Sequence, residues 1–559
     1  MPLLLLGVVG CGGGSKPADG SAQEYDRADA TTARVATFPS LQRLTPSVDL
    51  ATGEDAIELV AARGEREGGQ FVAVFAKAPA RIVVVASALE GPGTATIPAR
   101  LVETWLEQSI EVEQGSPAGR AGSYLDPLVP AAGRDVEVRP DARLPVWVDV
   151  AVPVAAAPGA YAGSVQLRYA TEDGKVRADT AVLAEVPLRV TVRGATLPHQ
   201  PTLKSNMGVE TAQVAKFEQL EQGSAKLRTA LDAYGQQLAD ARLSIADVGV
   251  LPPGTLPGQA AAPGDAAYLQ RQFTRRGVAS VRLPFYITYP FEDPLGRDRT
   301  AAVRYLRAVA GWARRLGVFE QSYVYAIDEP GDQDAGRVRE LHELVHEADP
   351  RLRLLVTREA SARAFQGSVD IWSPNINATR FRPADVVAEH RRGHETWWYP
   401  SITTWQPQPD LFIDELRPAP RALGWLAWRY GVDGFLYWSA NHWNEVTDPW
   451  RDPATYVETD AVGNGDGVLL YPGAPIGQPG IPAPSVRLLQ LRDGIDDHDL
   501  LTMATCGGTA AQRARLRGLT MAIAPSMTSF DADAADVAEL RDVAFDVIEA
   551  SGDSAKCRS

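Results

Sequence analysis

The stretch SYVYAIDEPGDQD, residues 322–334, is a β-branched and aromatic run that stops at two carboxylates, a proline and a glycine. The pattern predicts a short strand that delivers Asp328 and Glu329 into a loop. Side chains alternate between the faces of a regular strand, so the pair can serve one cavity only beyond the strand's end. Asp and Glu before Pro330 and Gly331 are also typical of a solvated turn. The rest of the chain decides between these two interpretations.

Short runs of β-branched and aromatic residues also occur before and after this stretch. Amphipathic helical patterns lie between several of them, most clearly at residues 224–243, 300–317 and 334–349. The alternation predicts a (β/α)8 TIM-type barrel over residues 200–506, with its active groups where strands end and loops begin. The eight predicted strands are LKSNMGV (203–209), SIADVG (244–249), SVRLPFY (280–286), SYVYAI (322–327), RLLVT (353–357), VDIWS (369–373), ETWWY (395–399) and GFLYWS (434–439). Asp328 and Glu329 end the fourth.

The chain on either side of the barrel has a different pattern. Residues 33–195 contain many short strand-like runs separated by turn-rich pieces such as APGAYAG and TEDGK. Regularly spaced short strands predict an N-terminal antiparallel β-sandwich domain. Residues 507–559 are predicted to form a small C-terminal helical tail. The expected fold class is therefore multi-domain: sandwich, barrel and tail.

The N-terminus, MPLLLLGVVGCGGGSKPADGS, has an apolar segment before Cys11 and a Gly/Ser/Pro/Asp tract after it. It resembles a bacterial lipoprotein signal, with residues 1–10 as signal segment, Cys11 as the lipidated residue and 11–32 as a flexible tether. No Lys or Arg precedes the apolar run, although export signals normally begin with positive charge. We expect an exported, membrane-anchored lipoprotein, periplasmic or on the cell surface. Without Cys11, Cys506 and Cys557 remain, either as one disulfide or as two free thiols.

Composition and motifs exclude several classes of function. The chain has 559 residues and a formal net charge of −15, which argues against nucleic acid as a partner. No GxSxG nucleophile elbow or phosphate-binding loop occurs. His342 and His346 are four residues apart, but they do not complete an HExxH helix, so we interpret them as a solvated helix face. The sequence therefore predicts no metal and no cofactor. The glycines of GNGDGV, residues 463–468, predict a loop over the barrel mouth.

Tryptophan is concentrated late in the barrel. Of the 12 tryptophans, eight fall between residues 397 and 450. Trp398, Trp405, Trp438 and Trp443 lie at predicted strand ends or in loops, where flat apolar faces would suit the C–H surface of a sugar ring. Core packing is the competing interpretation for each of them. Strand-end carboxylates beside an aromatic mouth favour glycoside hydrolysis.

Six motifs carry a specific resemblance. In order, YAIDEPGD, VDIWSPN, GFLYWSANHWN, DPWRDP, GDGVLLYPG and SVRLLQLRDGIDDHDLL resemble the catalytic domain of glycoside hydrolase family 123. Upstream, RGEREGGQFV, RLPVWVDVAVPVAAAPGAYAGSV and LPHQPTLKSNMG resemble its sandwich and junction, so the similarity spans about residues 55–505. The resemblance implies a retaining exo-β-N-acetylhexosaminidase, with N-acetylgalactosamine as the expected sugar and the substrate's acetamido group as nucleophile. Asp328 would hold that group and stabilise an oxazolinium ion, and Glu329 would be general acid and then base.

The roles of the other candidate site residues are less clearly indicated by the sequence. Tyr399 or Tyr437 would donate to the acetamido oxygen, and Asn375 and Asn441 would bind sugar hydroxyls. The hydrophobic floor would come from Trp398, Trp438 or Trp443. A structural role is an equally good interpretation of each. We expect the charged residues of the last motif to buttress helix against barrel rather than to catalyse; these are Arg487, Arg492, Asp493, Asp496 and Asp497.

Two other functions stay open at this level. One is a glycosidase on a non-acetylated glycan, which pairs Glu329 with a distant carboxylate such as Glu445 or Glu359. The other is a non-catalytic glycan-binding surface lipoprotein, for which the tether and aromatic mouth are equally suitable. In every case the partner is a glycan, and membrane contact is expected only through the lipid anchor. The sequence specifies neither the sugar and linkage nor the oligomeric state.

Overall fold

The computed structural model describes residues 33–45, 47–76, 81–170, 181–245, 275–377, 379–402 and 408–551. Three predictions fall outside these residues: the signal and tether of residues 1–32 with Cys11, the aromatic side chain of Trp405, and Cys557. Cys506 is disulfide-bonded, and its partner also lies outside the described residues. Within the described part, no helix is both long and apolar enough to cross a membrane.

Alternating apolar and polar residues make the N-terminal third of the chain β-rich. Five strands form an antiparallel sheet in the order β1-β3-β9-β7-β8, and a second sheet has the order β2-β11-β10-β5-β6 with β4 beside β10. The second sheet is mainly antiparallel, but β2 and β11 are parallel. In the described residues, the strands are β1 (Arg34–Pro39), β2 (Ile57–Arg63), β3 (Arg66–Val74), β4 (Ile82–Ala86), β5 (Leu89–Glu90), β6 (Thr96–Ile97), β7 (Val102–Val112), β8 (Gly122–Pro130), β9 (Arg143–Ala151), β10 (Gly159–Tyr169) and β11 (Val182–Thr196).

A parallel sheet follows, as the strand-and-helix alternation predicts. Its order among the described residues is β12-β18-β17-β16-β15-β14-β13, which forms a nearly closed barrel. The seven strands are β12 (Lys204–Met207), β13 (Val281–Leu283), β14 (Ser322–Tyr325), β15 (Arg353–Val356), β16 (Ile371–Trp372), β17 (Glu395–Trp398) and β18 (Gly434–Tyr437). The eighth predicted strand, 244–249, lies mostly outside the described residues. Its Ile245 forms a parallel bridge with Met207, and the full eightfold barrel stays a prediction.

Helices lie between the strands of this sheet in the chain, and further helices follow its last strand. Helices α2, α3 and α4 confirm the three amphipathic patterns of the sequence. The described helices are α1 (Thr211–Phe217), α2 (Ala225–Asp240), α3 (Arg299–Arg315), α4 (Ala335–Ala348), α5 (Pro383–Arg392), α6 (Ala419–Tyr430), α7 (Val486–Gly507), α8 (Ala510–Ile523) and α9 (Ala534–Ser551). Two small hairpin-like pairs complete the barrel region: β19 (Ala454–Glu458) with β20 (Ala461–Asn464), and β21 (Leu470–Tyr471) with β22 (Ala483–Pro484).

Strand alternation separates two apolar clusters in the barrel. One cluster takes every second residue of neighbouring strands and fills the barrel interior: Tyr323, Tyr325, Leu355, Ile371, Trp397, Tyr399 and Leu436. The residues between them, such as Val324, Leu354 and Trp398, belong to the larger core shared with the helices. Because side chains alternate along a strand, Tyr399 points to the inner face and Trp398 to the helices.

Helix α7 joins the barrel to the β-rich region. Arg487 forms two hydrogen bonds of 2.8 Å to the buried Asp126 of β8, and Arg492 pairs with Asp149 of β9 at 2.8 Å. On another face Asp497 accepts from Arg421 of α6 at 2.7 Å. The charged motif is thus a buttress, and it holds the β-rich region as well as the barrel. Buried ion pairs of this kind fix relative position, because an unpaired partner would be costly.

Candidate active site

A cavity of about 570 Å³ opens at the carboxyl ends of the parallel strands. Asp328 and Glu329 follow β14 and line it, as the sequence predicts for a barrel of this type. The remaining lining residues come from the ends of the other strands and from later loops: Asn206, Gly208, Val209, Glu210, Arg282, Tyr286, Tyr325, Thr357, Tyr399, Ser401, Ile402, Leu436, Tyr437, Trp438, Tyr456, Glu458 and Asp466.

Asp328 is held by hydroxyl groups. The phenol of Tyr325 donates to its Oδ1 at 2.5 Å, and the hydroxyl of Thr357 donates to the same oxygen at 3.2 Å. The backbone N–H of Asp328 donates to the Tyr286 hydroxyl at 3.2 Å. Burial and the neighbouring carboxylate raise the pKa of Tyr325 well above its ordinary value. The phenol therefore keeps its proton and stays a donor.

Glu329 occupies a strained turn. Its φ of 38° lies in the left-handed region, which is unusual for a residue with a Cβ. The backbone N–H donates to Thr357 Oγ1 at 2.6 Å, so one threonine hydroxyl links both acidic residues. The hydroxyl of Tyr399 donates to Oε1 of Glu329. Strain of this kind persists only where surrounding contacts enforce it, and it concentrates at functional sites.

Tyr399 is buried at the end of β17. Burial, followed by the charge of Glu329, raises its pKa above the ordinary range of a phenol. Like Tyr325, it remains protonated and donates. Both tyrosines belong to the inner apolar cluster, so the ring positions are fixed by packing while the hydroxyls reach the carboxylates. Each acidic residue consequently has its own tyrosine donor.

Tyr437 and Trp438 also line the cavity, and both bind Asp466. The Tyr437 hydroxyl donates to Asp466 Oδ1 at 3.0 Å, and Trp438 Nε1 donates to the same oxygen at 3.1 Å. Asp466 lies in the glycine-rich loop that the sequence predicts over the mouth, between Gly465 and Gly467 with φ of 75° and 71°. Burial raises the pKa of Asp466 above its ordinary value. The loop thus supplies part of the cavity wall.

The two predicted asparagines lie behind the cavity wall. Asn375 is buried and donates through Nδ2 to Ser401 Oγ at 2.9 Å. Asn441 is buried, accepts the backbone N–H of Glu210 at 2.8 Å and donates to the carbonyl of Glu210 at 3.2 Å. Ser401 and Glu210 line the cavity, so both asparagines position lining residues instead of lining it themselves.

Two predicted tryptophans lie in the core. Trp398 is fully buried and packs edge-on against Phe381 at 5.0 Å between ring centroids. Trp443 is fully buried against Phe217 at 5.2 Å. The prediction that these two tryptophans form the cavity floor is therefore wrong. Strand alternation turns Trp398 toward the helices, and Trp443 packs on α1 and α2. Of the tryptophans among the described residues, Trp438 lines the cavity.

Sequence reasoning missed several lining residues. Tyr325 and Thr357 donate to the Asp328 carboxylate, and Thr357 also accepts the backbone N–H of Glu329. Tyr286 and Arg282 come from the third predicted strand. Position offered a signal for them: Thr357 ends RLLVT and Tyr286 ends SVRLPFY, and strand ends are where barrel sites are built. Tyr456 had no such signal, because it lies in the β19–β20 pair and reaches the site by packing on Trp438 at 5.5 Å.

Two comparisons with known proteins bear on this geometry. Residues 290–504 match the family model described as glycoside hydrolase 123, catalytic domain. The range includes Asp328, Glu329 and most of the cavity wall. A family 123 glycoside hydrolase from Clostridium perfringens has a similar structure, with 12% sequence identity over 93% of this chain and 99% of that chain and a TM-score of 0.67. The chain is a glycoside hydrolase.

The other comparisons provide little further information about the hydrolase. A GH10 xylanase from Thermobacillus composti aligns over 52% of this chain and 97% of its own at 12% identity, with a TM-score of 0.29 that is too low to support an argument about fold. No curated protein sequence matches the hydrolase significantly. The likeness to the Clostridium perfringens structure shows the fold, and the family match shows the type of chemistry.

Proposed function

We propose that this hydrolase is a retaining exo-glycosidase that removes terminal β-linked N-acetylhexosamine, with N-acetylgalactosamine as the expected sugar, by substrate-assisted catalysis. The proposal rests on one observation: Asp328 and Glu329 are adjacent, line one cavity and have separate hydroxyl donors. A conventional retaining pair requires carboxyl groups about 5–5.5 Å apart on opposite sides of the anomeric carbon. Neighbouring residues of one turn suit a mechanism in which the substrate supplies the nucleophile.

Asp328 would act on the acetamido group. Its carboxylate accepts the acetamido N–H, so the carbonyl oxygen of that group attacks C1 while the bond from C1 to the leaving oxygen breaks. Glu329 gives its proton to the leaving oxygen. The product of this step is an oxazolinium ion, whose positive charge the Asp328 carboxylate stabilises. Tyr325 and Thr357 fix the orientation of Asp328 throughout.

Glu329 would then act as base. It takes a proton from a water molecule, the water oxygen bonds to C1, and the oxazolinium ring opens to restore the acetamido group. Two inversions at C1 give overall retention. Tyr399 holds the carboxylate in both steps, and Trp438 with Tyr456 offers an apolar wall to the sugar ring. The cavity falls within the range of about 300–1,000 Å³ that is usual for small-ligand pockets.

The position of other carboxylates favours this mechanism over a conventional pair. Neither Glu445 nor Glu359 lines the cavity. Besides Asp328 and Glu329, three carboxylates line it: Glu210, Glu458 and Asp466. Asp466 is buried and its Oδ1 accepts from both Tyr437 and Trp438, Glu210 pairs with His442 at 2.6 Å, and Glu458 is exposed to solvent. The Clostridium perfringens relative was analysed for glycolipid glycan hydrolysis. We include a glycolipid glycan as the natural substrate class.

The proposal also covers the finer architecture and location. Both sheets of the β-rich region contribute to one apolar core, with Phe71 and Val148 from one sheet and Val165 and Leu188 from the other, which supports a β-sandwich. The bridge between Ile245 and Met207 supports an eighth barrel strand. The apolar segment before Cys11 and the Gly/Ser/Pro/Asp tract after it support export and a lipid anchor.

The test is hydrolysis of aryl β-GalNAc, β-GlcNAc and β-galactoside by protein lacking residues 1–32. Glu329→Gln and Asp328→Asn are measured alongside, with Glu292→Gln as a control, because Glu292 is exposed and lies outside the cavity. We expect cleavage of N-acetylated substrates alone and a loss of about 10²–10⁴-fold in kcat for Glu329→Gln. An acetamido-thiazoline analogue is expected to inhibit.

Three outcomes would count against the proposal. Comparable turnover of the β-galactoside would remove substrate assistance. A glycosyl ester trapped on a carboxylate by a fluorinated sugar would favour the conventional pair. Glycan binding without hydrolysis by folded protein would favour a binding lipoprotein.

A further inference from the structure

His342, His346 and Asp370 meet on the side of the barrel away from the cavity mouth. Both histidines lie on α4 one turn apart, with ring centroids 4.0 Å apart, and Asp370 directly precedes β16. His346 Nε2 lies 3.1 Å from Asp370 Oδ2, and His342 Nε2 lies 3.5 Å from Asp370 Oδ1. Among the described residues, these three form the one group of three or more His, Cys, Asp or Glu side chains whose ligand atoms are close enough together to bind a single metal ion.

The separations between these atoms are close to those between the ligand atoms of a tetrahedral ion. Zinc binds histidine nitrogen at about 2.0–2.1 Å and carboxylate oxygen at about 2.0–2.2 Å. Ligand atoms on a tetrahedron of that size are about 3.4 Å apart. Each imidazole lies close to this separation from one oxygen of the carboxylate, His346 Nε2 at 3.1 Å from Oδ2 and His342 Nε2 at 3.5 Å from Oδ1. One ligand atom from each of the three residues lies within 4.8 Å of the other two.

The carboxylate is held independently of the histidines. The backbone N–H of Leu354 donates to Asp370 Oδ2 at 2.8 Å, and the backbone N–H of Asp370 donates to the Leu354 carbonyl at 3.1 Å. Hydrogen bonds behind a ligand fix its orientation and are usual at metal sites. The side chains of His342, His346 and Asp370 retain 19%, 32% and 16% of their exposure, which leaves an open side for an ion and for water as a fourth ligand.

We propose that His342, His346 and Asp370 bind one divalent transition-metal ion, with Zn²⁺ the best match to two imidazoles and a carboxylate. The site lies at the amino end of β16, whereas Asp328 and Glu329 follow the carboxyl end of β14. Because the strands are parallel, these positions are at opposite ends of the barrel. The ion therefore ties α4 to β15 and β16 and takes no part in hydrolysis.

The chain contains a matched control for this arrangement. His390 of α5 pairs with Asp433, which precedes β18, at 2.7 Å, and Asp433 likewise accepts a backbone N–H, that of Thr396, at 2.8 Å. This pair differs from the proposed site because it has no second histidine. If a histidine–aspartate pair alone bound the ion, His390→Ala would weaken binding as much as His342→Ala.

The experiment uses untagged, chelator-treated protein titrated with Zn²⁺ by calorimetry and with Co²⁺ by visible absorption. We expect one equivalent per chain, tetrahedral Co²⁺ bands and a rise in Tm on addition of Zn²⁺. His342→Ala and His346→Ala, measured separately so that a folding defect in one leaves the other informative, should each lose affinity on the order of 100-fold or more. His390→Ala should bind as wild type does.

Two results of the binding measurements would overturn the proposal. One is absence of binding to wild-type protein; the other is binding that survives both His342→Ala and His346→Ala. Hydrolysis of the preferred aryl glycoside is expected to be the same before and after chelation. Loss of hydrolysis on chelation, restored by Zn²⁺, would contradict the assignment of the ion to the far end of the barrel.

Discussion

The phenol of Tyr399 donates a hydrogen bond to Oε1 of Glu329 across 70 residues of chain. The two residues follow β17 and β14, which are separated in the sheet by β15 and β16. Curvature of the nearly closed barrel brings their ends to one cavity. We therefore expect Tyr399 to position the proposed acid and base. Because Tyr399 also lines the cavity, its donation to the substrate stays a prediction.

Tyr399→Phe is expected to lower kcat while the protein stays folded. A hydrogen bond to a charged group contributes about 1.5–3 kcal/mol, which corresponds to about 10- to 100-fold in rate. Steady-state kinetics on the preferred aryl glycoside measure this. Tyr161→Phe is the control, because it removes a buried hydroxyl that donates to the Ala157 carbonyl in the β-rich region. Equal kinetics for Tyr399→Phe and wild type would contradict the positioning role.

Thr357→Val should reduce kcat by about 10- to 100-fold. Valine has nearly the same shape but neither accepts the Glu329 N–H nor donates to Asp328, so the backbone of Glu329 and the carboxylate of Asp328 each lose a hydrogen bond, at a cost of about 1–3 kcal/mol. Thr357→Ser keeps the hydroxyl and is expected to restore most of the rate. If the serine and valine variants are equally slow, packing of the methyl group is responsible and the hydroxyl is not.

Trp438→Ala and Trp398→Leu should affect different properties. Trp438 lines the cavity, and its loss is expected to raise KM about tenfold, equivalent to roughly 1.4 kcal/mol of contact with substrate. Trp398 is fully buried, so its replacement should cost about 2–5 kcal/mol of stability and lower Tm without a comparable change in KM. Kinetics and thermal melts of both variants distinguish cavity from core. An unchanged KM for Trp438→Ala would remove Trp438 from the substrate contact surface.

Stability should fall in acid because of His498. Burial lowers the pKa of His498 from 6.5 to about 4. Between these values the unfolded chain binds a proton that the folded chain excludes. The contribution of neutral His498 to the free energy of unfolding is therefore complete above pH 6.5. It is lost as the pH falls to 4, and the total loss is about 3 kcal/mol. Melting curves from pH 7.5 to 4 should show a steeper fall in Tm for wild type than for His498→Gln, and parallel curves would contradict the assignment.

The sequence by itself determined the order of elements and the position of the two carboxylates. Strand and helix periods are local, so the patterns at 224–243, 300–317 and 334–349 predicted α2 to α4, and seven of the eight predicted strands lie in the described parallel sheet. The end of SYVYAI put Asp328 and Glu329 at a barrel mouth.

Tertiary structure decided which side chains share a site. Trp398 and Tyr399 are neighbours in the chain, yet strand alternation sends one into the core and the other to Glu329. His346 and Asp370 are 24 residues apart and meet only because α4 packs beside the start of β16. Contacts of this kind depend on sheet curvature and helix docking, which arise from the packing of the whole chain and leave no local pattern in the sequence.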